Sequence, residues 1–177
     1  MLSNLLIYRF CIFNVLCAVV LGWAYTQGYV LDMFSKDASY MTYVAVVLFA
    51  IGTASCTARV LKISRLLNRN KITNRQFNEL YPSAPISGPK LIEKHAHLDM
   101  LGDLILTVGL TGTAIGIVMM LNSFAGGINA ESASQVVDAM GTAFRSTIVS
   151  AFAWMWHEVN VRMLKTATVI LVEDASA

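Results

Sequence analysis

The sequence predicts an all-α membrane protein that crosses the bilayer four times and has both termini in the cytoplasm. Three observations predict this fold class. The chain is 56% hydrophobic and only 14% charged, against about 25% charged residues in an average soluble domain. Four apolar stretches approach the length of about 20 residues that a transmembrane helix needs. Lysine and arginine concentrate in one middle segment and are scarce in the other connections.

The first two stretches predict an N-terminal pair of membrane helices. The first, Leu5 to Tyr25, contains a single charged residue, Arg9. No small-x-small cleavage site follows it, so we expect it to be retained as a helix rather than removed as a signal peptide. The second stretch is the run of 21 uncharged residues between Asp37 and Arg59.

The third and fourth stretches predict a second pair of membrane helices. No charged residue occurs between Asp103 and Glu131, which makes the third stretch the clearest. The fourth runs from about Ala139 to Val159 and is interrupted by Arg145. A charged residue within a span is costly, so this fourth span carries the weakest signal.

The distribution of basic residues predicts the orientation. Eight of the thirteen lysines and arginines lie between Arg59 and Met100, whereas the connection between the first two spans holds only Lys36. By the positive-inside rule, this middle loop faces the cytoplasm. Its basic residues are more typical of a headgroup-facing surface than of a specific nucleic-acid or lipid site. The resulting regions are outer helices 1–58, a basic cytoplasmic loop 59–103, membrane helices 104–160 and a cytoplasmic tail 161–177.

Within the middle loop, the apolar pattern predicts that the second helix continues into the cytoplasm as far as Leu80. The proline-rich segment from Tyr81 to Pro89 then ends it. From Lys90 to Met100 the pattern becomes helical again and leads into the third span.

Small residues form one face of the third span. Gly109, Thr113 and Gly116 recur at helical spacing, and Gly112 with Gly116 forms a small-xxx-small pair. Such a face permits close contact between helices. Close packing alone explains these glycines, because such pairs are common in membrane helices.

A similar stripe on the fourth span contains Thr142, Ser146, Ser150 and Ala153. Two neighbouring stripes of hydroxyl groups can line a narrow hydrated path. Alternatively, each hydroxyl donates a hydrogen bond to a carbonyl of its own helix, four residues earlier. The pattern favours neither interpretation over the other.

Charged residues near the span ends are candidates for pore vestibules. These are Asp103 and Glu158 at the cytoplasmic ends and Arg145 near the outer end, where it either reaches the interface or pairs with Asp138 or Glu131. No carboxylate lies near the middle of any span, so an ion path would need one from another subunit. The three histidines are too sparse for a metal site. No sequence motif indicates an enzyme, a catalytic residue or a cofactor.

Two runs of residues resemble a known family. The run from Gly109 to Ile117, GLTGTAIGI, is similar to the G-L-x-G-T-x-x-G signature of the MotA/TolQ/ExbB proton-channel family. The run from Val137 to Ser146 resembles the A-L-x-T-T-x-x-G pattern at the start of that family's second pore helix. Arg145 stands where the family has an apolar or aromatic residue.

This resemblance implies a pentamer in which the third and fourth helices line a central pore around a dimer of a single-span partner. It places Thr113 and Thr142 beside an ion-carrying Asp of that partner, with Ser146 and Ser150 continuing the path and Gly109, Gly112 and Gly116 packing the helices. It also implies the inner membrane of a bacterium, a lipid bilayer as surroundings and no nucleic-acid partner.

The leading hypothesis is therefore a membrane subunit of a motor that is driven by protons or by sodium ions, between which the sequence does not discriminate. A multi-span adaptor or scaffold that packs through the same glycines and conducts nothing is the alternative. A four-helix small-molecule transporter ranks last, because it would usually need a carboxylate in the middle of the membrane.

Overall fold

The computed structural model describes residues 2–67, 95–125 and 130–176, and these segments are almost entirely helical. The prediction of an all-α fold is confirmed in these segments, which contain no β-strand. The helices, in chain order, are α1 (Leu2–Thr26), α2 (Tyr29–Ser35), α3 (Met41–Leu67), α4 (Ala96–Phe124) and α5 (Ala130–Ser176).

Three of these helices are long and apolar enough to cross a membrane: α1 over Leu6–Thr26, α3 over Met41–Arg65 and α4 over Ala96–Phe124. The first three predicted spans are therefore confirmed as apolar helices of membrane-spanning length, and the protein is a multi-pass membrane protein. The fourth predicted span lies inside α5, which does not reach the same apolarity in the described residues.

The connection between α1 and α3 is built from short-range hydrogen bonds. Gly28 turns the chain with φ = 80°, a conformation that glycine adopts without steric cost. The buried carboxylate of Asp37 then accepts hydrogen bonds from the backbone N–H groups of Ser39 (3.0 Å) and Thr42 (2.9 Å). Asp37 thereby satisfies the N–H of Thr42, which the first turn of α3 would otherwise leave unpaired, and that of Ser39 just before the helix.

Helices α4 and α5 pack against each other in antiparallel fashion. Gly102 lies beside His157, Gly109 beside Ser150 and Gly116 beside Ala143. Residue numbers thus rise along α4 as they fall along α5. Helix α3 packs on one side of this pair, and α1 lies outside α3 and reaches α5 only over a short length.

The bundle has two distinct ends. At the end that we call the His95 end, apolar side chains of four helices form a core cluster. At the opposite end, called the Lys36 end, α1 ends and α3 begins. The core cluster consists of Phe10, Cys56, Val60, Ile63, Leu98, Val161, Leu164 and Ala167.

A polar cluster attaches α1 to α5 between these ends. Trp156 Nε1 donates to Asn14 Oδ1 at 2.7 Å, and Asn14 Nδ2 donates to Asn160 Oδ1 at 3.0 Å. Each of these amide and indole groups would be costly to leave unpaired in hydrocarbon, so the cluster fixes the position of α1.

The basic middle loop is only partly described. Helix α3 continues to Leu67, past the predicted membrane boundary at Arg59, as the apolar pattern predicts. The predicted break from Tyr81 to Pro89, and residues 90–94 of the predicted helical segment that leads into α4, lie outside the described residues, whereas residues 96–100 of that segment are helical. The division into four regions stays a prediction, and α3, α4 and α5 all run across its boundaries.

Candidate functional site

The small-residue face of α4 is the contact surface with α5. A Cβ atom added at Gly109 would lie 2.5 Å from Ser150 Cβ, and one added at Gly116 would lie 2.6 Å from Ala143 Cβ. A Cβ at Gly112 would lie 2.6 Å from Ser146 Cβ. These distances are shorter than van der Waals contact, so the two backbones approach as closely as they do because α4 carries glycine there.

The predicted hydroxyl stripe of α5 lies inside this interface. Thr142, Ser146 and Ser150 are each at most 2% exposed. Ser146 Oγ donates to the carbonyls of its own helix, at 3.1 Å to Ala143 O and 3.3 Å to Thr142 O. Thr142 Oγ1 donates to Lys36 O at 3.4 Å. The Ser150 hydroxyl is buried and has no hydrogen-bond partner among the residues that the structure describes. The three hydroxyls therefore lie within one subunit, enclosed by neighbouring helices.

Thr113 has a different environment. It is half-buried at the edge of the α4–α5 interface, and its hydroxyl forms a hydrogen bond with that of Thr147. Each hydroxyl also lies within reach of the carbonyl four residues earlier in its own helix, Thr113 Oγ1 at 3.1 Å from Gly109 O and Thr147 Oγ1 at 3.1 Å from Ala143 O, and Thr113 Oγ1 is 3.4 Å from Ala143 O. The structure thus pairs Thr113 with Thr147, which the sequence pattern did not single out.

The Thr113–Thr147 pair lies on an uncovered side of the two helices. Leu110 and Ile117, about one turn before and after Thr113, are 60% and 47% exposed, and Phe144, before Thr147, is 61% exposed. Helix α3 covers the opposite side, where Met41 Cβ approaches the Gly112 position. The pair therefore forms the polar floor of an otherwise apolar groove, which we call the α4–α5 groove.

The sequence contained a signal for Thr147. It follows Ala143 by four residues, so it lies one helical turn further along the face that meets Thr113. The stripe through Thr142, Ser146 and Ser150, which the sequence pattern predicts as the path, occupies the neighbouring face of the helix. Only the antiparallel register of α4 and α5, which the sequence does not give, brings Thr113 to Thr147.

The three candidate vestibule residues lie at two levels of the bundle. Glu158 follows His157, whose ring meets Gly102, the residue before Asp103, so both carboxylates lie toward the His95 end. Glu158 accepts a 2.7 Å hydrogen bond from Arg162. Arg145 lies 13 residues earlier on α5, about 20 Å away along the helix, and donates to Lys36 O at 3.2 Å. Arg145 therefore belongs to the Lys36 end.

Two histidines with structural roles were not singled out by sequence. His157 is fully buried between Gly52 of α3 and Gly102 of α4. Its Nε2 lies 2.8 Å from the Leu98 carbonyl, which only accepts, so the proton is on Nε2. A Cβ at Gly52 would lie 2.7 Å from the His157 ring, so this glycine makes the space for the imidazole.

His95, at the start of α4, connects this helix to α3 and α5. Its Nδ1 lies 3.2 Å from Arg59 Nη1, and its Nε2 lies 3.2 Å from Thr168 Oγ1. The guanidinium has no acceptor, so Nδ1 accepts and Nε2 donates. Thr168 in turn donates to Leu164 O at 2.9 Å. Burial and the nearby Arg59 charge lower the pKa of His95 from 6.5 to about 4. The imidazole is therefore neutral at physiological pH.

Comparison with known proteins gives one family. The model of the MotA/TolQ/ExbB proton channel family matches residues 61–172, more than half of the chain. The matched range includes all of α4 and most of α5, with the Thr113–Thr147 pair. Comparisons with curated proteins and with solved structures gave no significant match. With its apolar helices and this match, the chain belongs to the MotA/TolQ/ExbB proton channel family, whose members are membrane channel and motor subunits rather than a class of enzymes.

Proposed function

We propose that this chain is the pore-forming subunit of an ion-driven motor in the inner membrane of a bacterium. Five copies surround a dimer of a single-span partner, and the flow of protons or sodium ions produces rotation or force. The observation that carries the proposal is the hydrogen-bonded hydroxyl pair of Thr113 and Thr147 on the uncovered side of α4 and α5.

The chemistry of the side chains in the α4–α5 groove supports an ion path. Threonine hydroxyls both donate and accept hydrogen bonds, so the pair is suited to contact water or a carboxylate that gains and loses a proton. Its exposed neighbours, such as Leu110 and Phe144, are apolar and restrict the hydrated region to the pair. The carboxylate is supplied by the partner, because neither α4 nor the part of α5 beside it carries one at this depth.

The antiparallel packing supports α5 as the fourth span. Its segment from Ala143 to His157 lies beside α4 from Gly116 to Gly102, inside the α4 span. Three polar side chains of this segment, Ser146, Ser150 and His157, are buried against other helices rather than exposed to lipid. A helix of modest mean hydropathy can cross the bilayer in this way. The termini would then both lie in the cytoplasm.

The test is ion uptake into proteoliposomes that contain the chain with its single-span partner. Thr113→Val and Thr147→Val each remove one hydroxyl and keep the side-chain shape, and we expect each to lower ion flux by about tenfold or more. Thr111→Val is the matched control. Its hydroxyl donates to Thr107 O of its own helix at 2.9 Å and is exposed on another face of α4, so flux should be unchanged. Full flux in both Thr113→Val and Thr147→Val, with assembly intact, would refute the hydroxyl path.

A second substitution tests the buried stripe separately. Thr142, Ser146 and Ser150 are predicted path residues, yet a path along the α4–α5 groove bypasses them. We therefore expect Ser150→Ala to leave ion flux unchanged. A large loss of flux in Ser150→Ala, with Thr147→Val unaffected, would move the path from the groove into the interior of the subunit.

A further inference from the structure

A cavity of about 630 Å³ opens at the Lys36 end of the bundle. It lies between the connection from α2 to α3, the last turns of α4 and the first half of α5. Its lining combines an apolar wall, including Met119, with polar side chains from α4 and α5. The residues that matter for its chemistry are Asn122, Gln135, Asp138 and Arg145.

The Arg145 side chain lines this cavity. Within the part of the chain that the structure describes, its guanidinium makes one hydrogen bond, from Nη1 to Lys36 O, and no ion pair with Asp138 or Glu131. The side chain folds back over Gly141, where an added Cβ would lie 2.8 Å from Arg145 Nη1. Glycine at 141 thus makes room for the guanidinium, and four of its five N–H donors form no hydrogen bond with the described residues.

An unpaired carboxylate faces the same space. Asp138 lines the cavity and accepts no hydrogen bond from another described side chain. The amides of Asn122 and Gln135 are also without side-chain partners in the described residues. Lys36, by contrast, is already paired with Asp32, whose pKa this hydrogen bond lowers below its ordinary value. The free groups are therefore one cation, one anion and two amides.

Aromatic side chains locate the cavity at headgroup depth. The Lys36 end carries a belt of exposed aromatic residues on α1, α2 and the start of α3. Tryptophan and tyrosine concentrate where hydrocarbon meets water, because their rings are apolar and their polar groups are hydrated. The belt is formed by Trp23 (60% exposed), Tyr25 (56%), Tyr29 (57%), Tyr40 (69%) and Tyr43 (45%).

We propose that this cavity binds the headgroup of a zwitterionic phospholipid, with the phosphate on Arg145 and the primary ammonium on Asp138. A planar guanidinium matches two phosphate oxygens, and a carboxylate accepts from an ammonium N–H. Phosphoethanolamine supplies both charges in one small group. Phosphocholine has no N–H to donate, and phosphoglycerol has no cation for Asp138. The proposal does not depend on ion conduction.

The experiment is native mass spectrometry of the full chain in detergent, titrated with phosphatidylethanolamine, phosphatidylcholine and phosphatidylglycerol of identical acyl chains. We expect phosphatidylethanolamine to bind about tenfold more tightly than the other two lipids, and Arg145→Gln to weaken its binding about tenfold. Asp138→Asn should remove the preference over phosphatidylcholine. Gly141→Ala should also weaken the binding of phosphatidylethanolamine, because the added methyl group displaces the Arg145 guanidinium.

Controls separate the site from general effects. Arg162→Gln removes an exposed arginine at the opposite end and should leave lipid binding unchanged. Arg145→Lys keeps the positive charge but lacks the planar guanidinium, so it should bind the lipid with intermediate affinity, provided that its melting temperature matches that of the unchanged protein.

Equal affinity for the three lipids, or unchanged binding in Arg145→Gln, would overturn the proposal. Displacement of the lipid by inorganic phosphate at similar concentration would assign the cavity to free phosphate. Loss of a co-purified single-span protein in Arg145→Gln, with lipid binding unchanged, would assign it to a protein partner.

Discussion

At the scale of single residues, the closest approach of α4 and α5 depends on which positions lack a Cβ atom. Gly112 faces Ser146, and Met41 of α3 lies 3.0 Å from the point where a Gly112 Cβ would be. Three helices therefore meet at one glycine. In a membrane, where lipid and side chains are equally apolar, such close packing is a main source of helix association.

This geometry predicts a specific exchange. Gly112→Ala should lower the free energy of unfolding in detergent by about 1–3 kcal/mol, because the new methyl group overlaps Ser146. Combining it with Ser146→Gly should recover much of that loss, since the overlapping Cβ is then absent. Gly22→Ala is the control, because no atom lies within 4 Å of its Cβ position. Thermal unfolding followed by circular dichroism is measured for the unchanged protein, Gly112→Ala, Ser146→Gly, the double variant and Gly22→Ala, and additive losses in the double variant would contradict the packing.

Single residues also show which features a sequence pattern can predict and which it cannot. The glycines on α4 were found by periodicity, because each lies on one helical face. Thr147 was not found, because its importance depends on the register between α4 and α5. His95, one of three histidines to which the sequence pattern assigns no role, is only 1% exposed. Its partners Arg59 and Thr168 are 36 and 73 residues away in sequence, and no local pattern links them.

At the scale of helices, His95 joins α3, the start of α4 and α5 through one imidazole. The donors run in one direction, from Arg59 to His95 to Thr168 and on to the Leu164 carbonyl. Nearby, Lys165 and Asp99 form a 2.7 Å ion pair between α5 and α4. The His95 end is thus held by polar contacts as well as by its apolar core cluster.

Protonation of His95 should weaken this junction. The pKa is about 4 in the folded protein and 6.5 in the unfolded chain, so the unfolded chain binds the proton more readily. Stability is therefore complete above about pH 6.5 and decreases as the pH falls from 6.5 to about 4, by at most about 3 kcal/mol. The melting temperature in detergent, measured across this range, checks the sign.

Two variants isolate the contribution of His95. Glutamine supplies an acceptor for Arg59 and a donor for Thr168 but does not titrate, so His95→Gln should flatten the pH dependence. His97→Gln, at an exposed neighbouring position, should retain it. An unchanged slope in His95→Gln would assign the pH dependence to other groups. Asp37, whose pKa the hydrogen bonds from Ser39 and Thr42 lower despite its burial, loses its stabilising charge only at more acidic pH.

The surroundings of each helix explain why the first three membrane spans are easier to predict from the sequence than the fourth. The first three spans were found because they are apolar around most of their circumference. The fourth was harder, because α5 buries polar side chains such as His157 and Asn160 against other helices. A helix packed on several sides can carry polar residues that a lipid-facing helix cannot, so hydropathy alone underestimates it.

At the scale of the whole molecule, one chain leaves large apolar surfaces uncovered. Exposed side chains line the α4–α5 groove and the outer surface of α1, among them Leu110, Phe144, Val15 and Val19. Lipid covers such a surface in a monomer, and neighbouring copies cover part of it in an oligomer. The proposed pentamer assigns the groove to the centre and α1 to the periphery.

Native mass spectrometry tests that assembly. The 19.3 kDa chain, purified alone and with single-span proteins encoded beside it, should give five copies that take up two copies of one partner. A monomer, dimer or tetramer that binds no partner would refute the motor and favour the adaptor.

The length of α5 has a mechanical consequence. Its 47 residues form one continuous helix of about 70 Å, more than twice the thickness of the hydrocarbon core. A helix is stiff over this distance, so any tilt about the point where Ser146 and Ser150 contact the α4 glycines would move the ends of α5 further than its middle. A tilt of about five degrees at that point would displace the distant end by several ångströms. A tilt of α5 that is too small to open a gap beside Thr147 would therefore still move the distant end of the helix by a larger distance at the membrane surface.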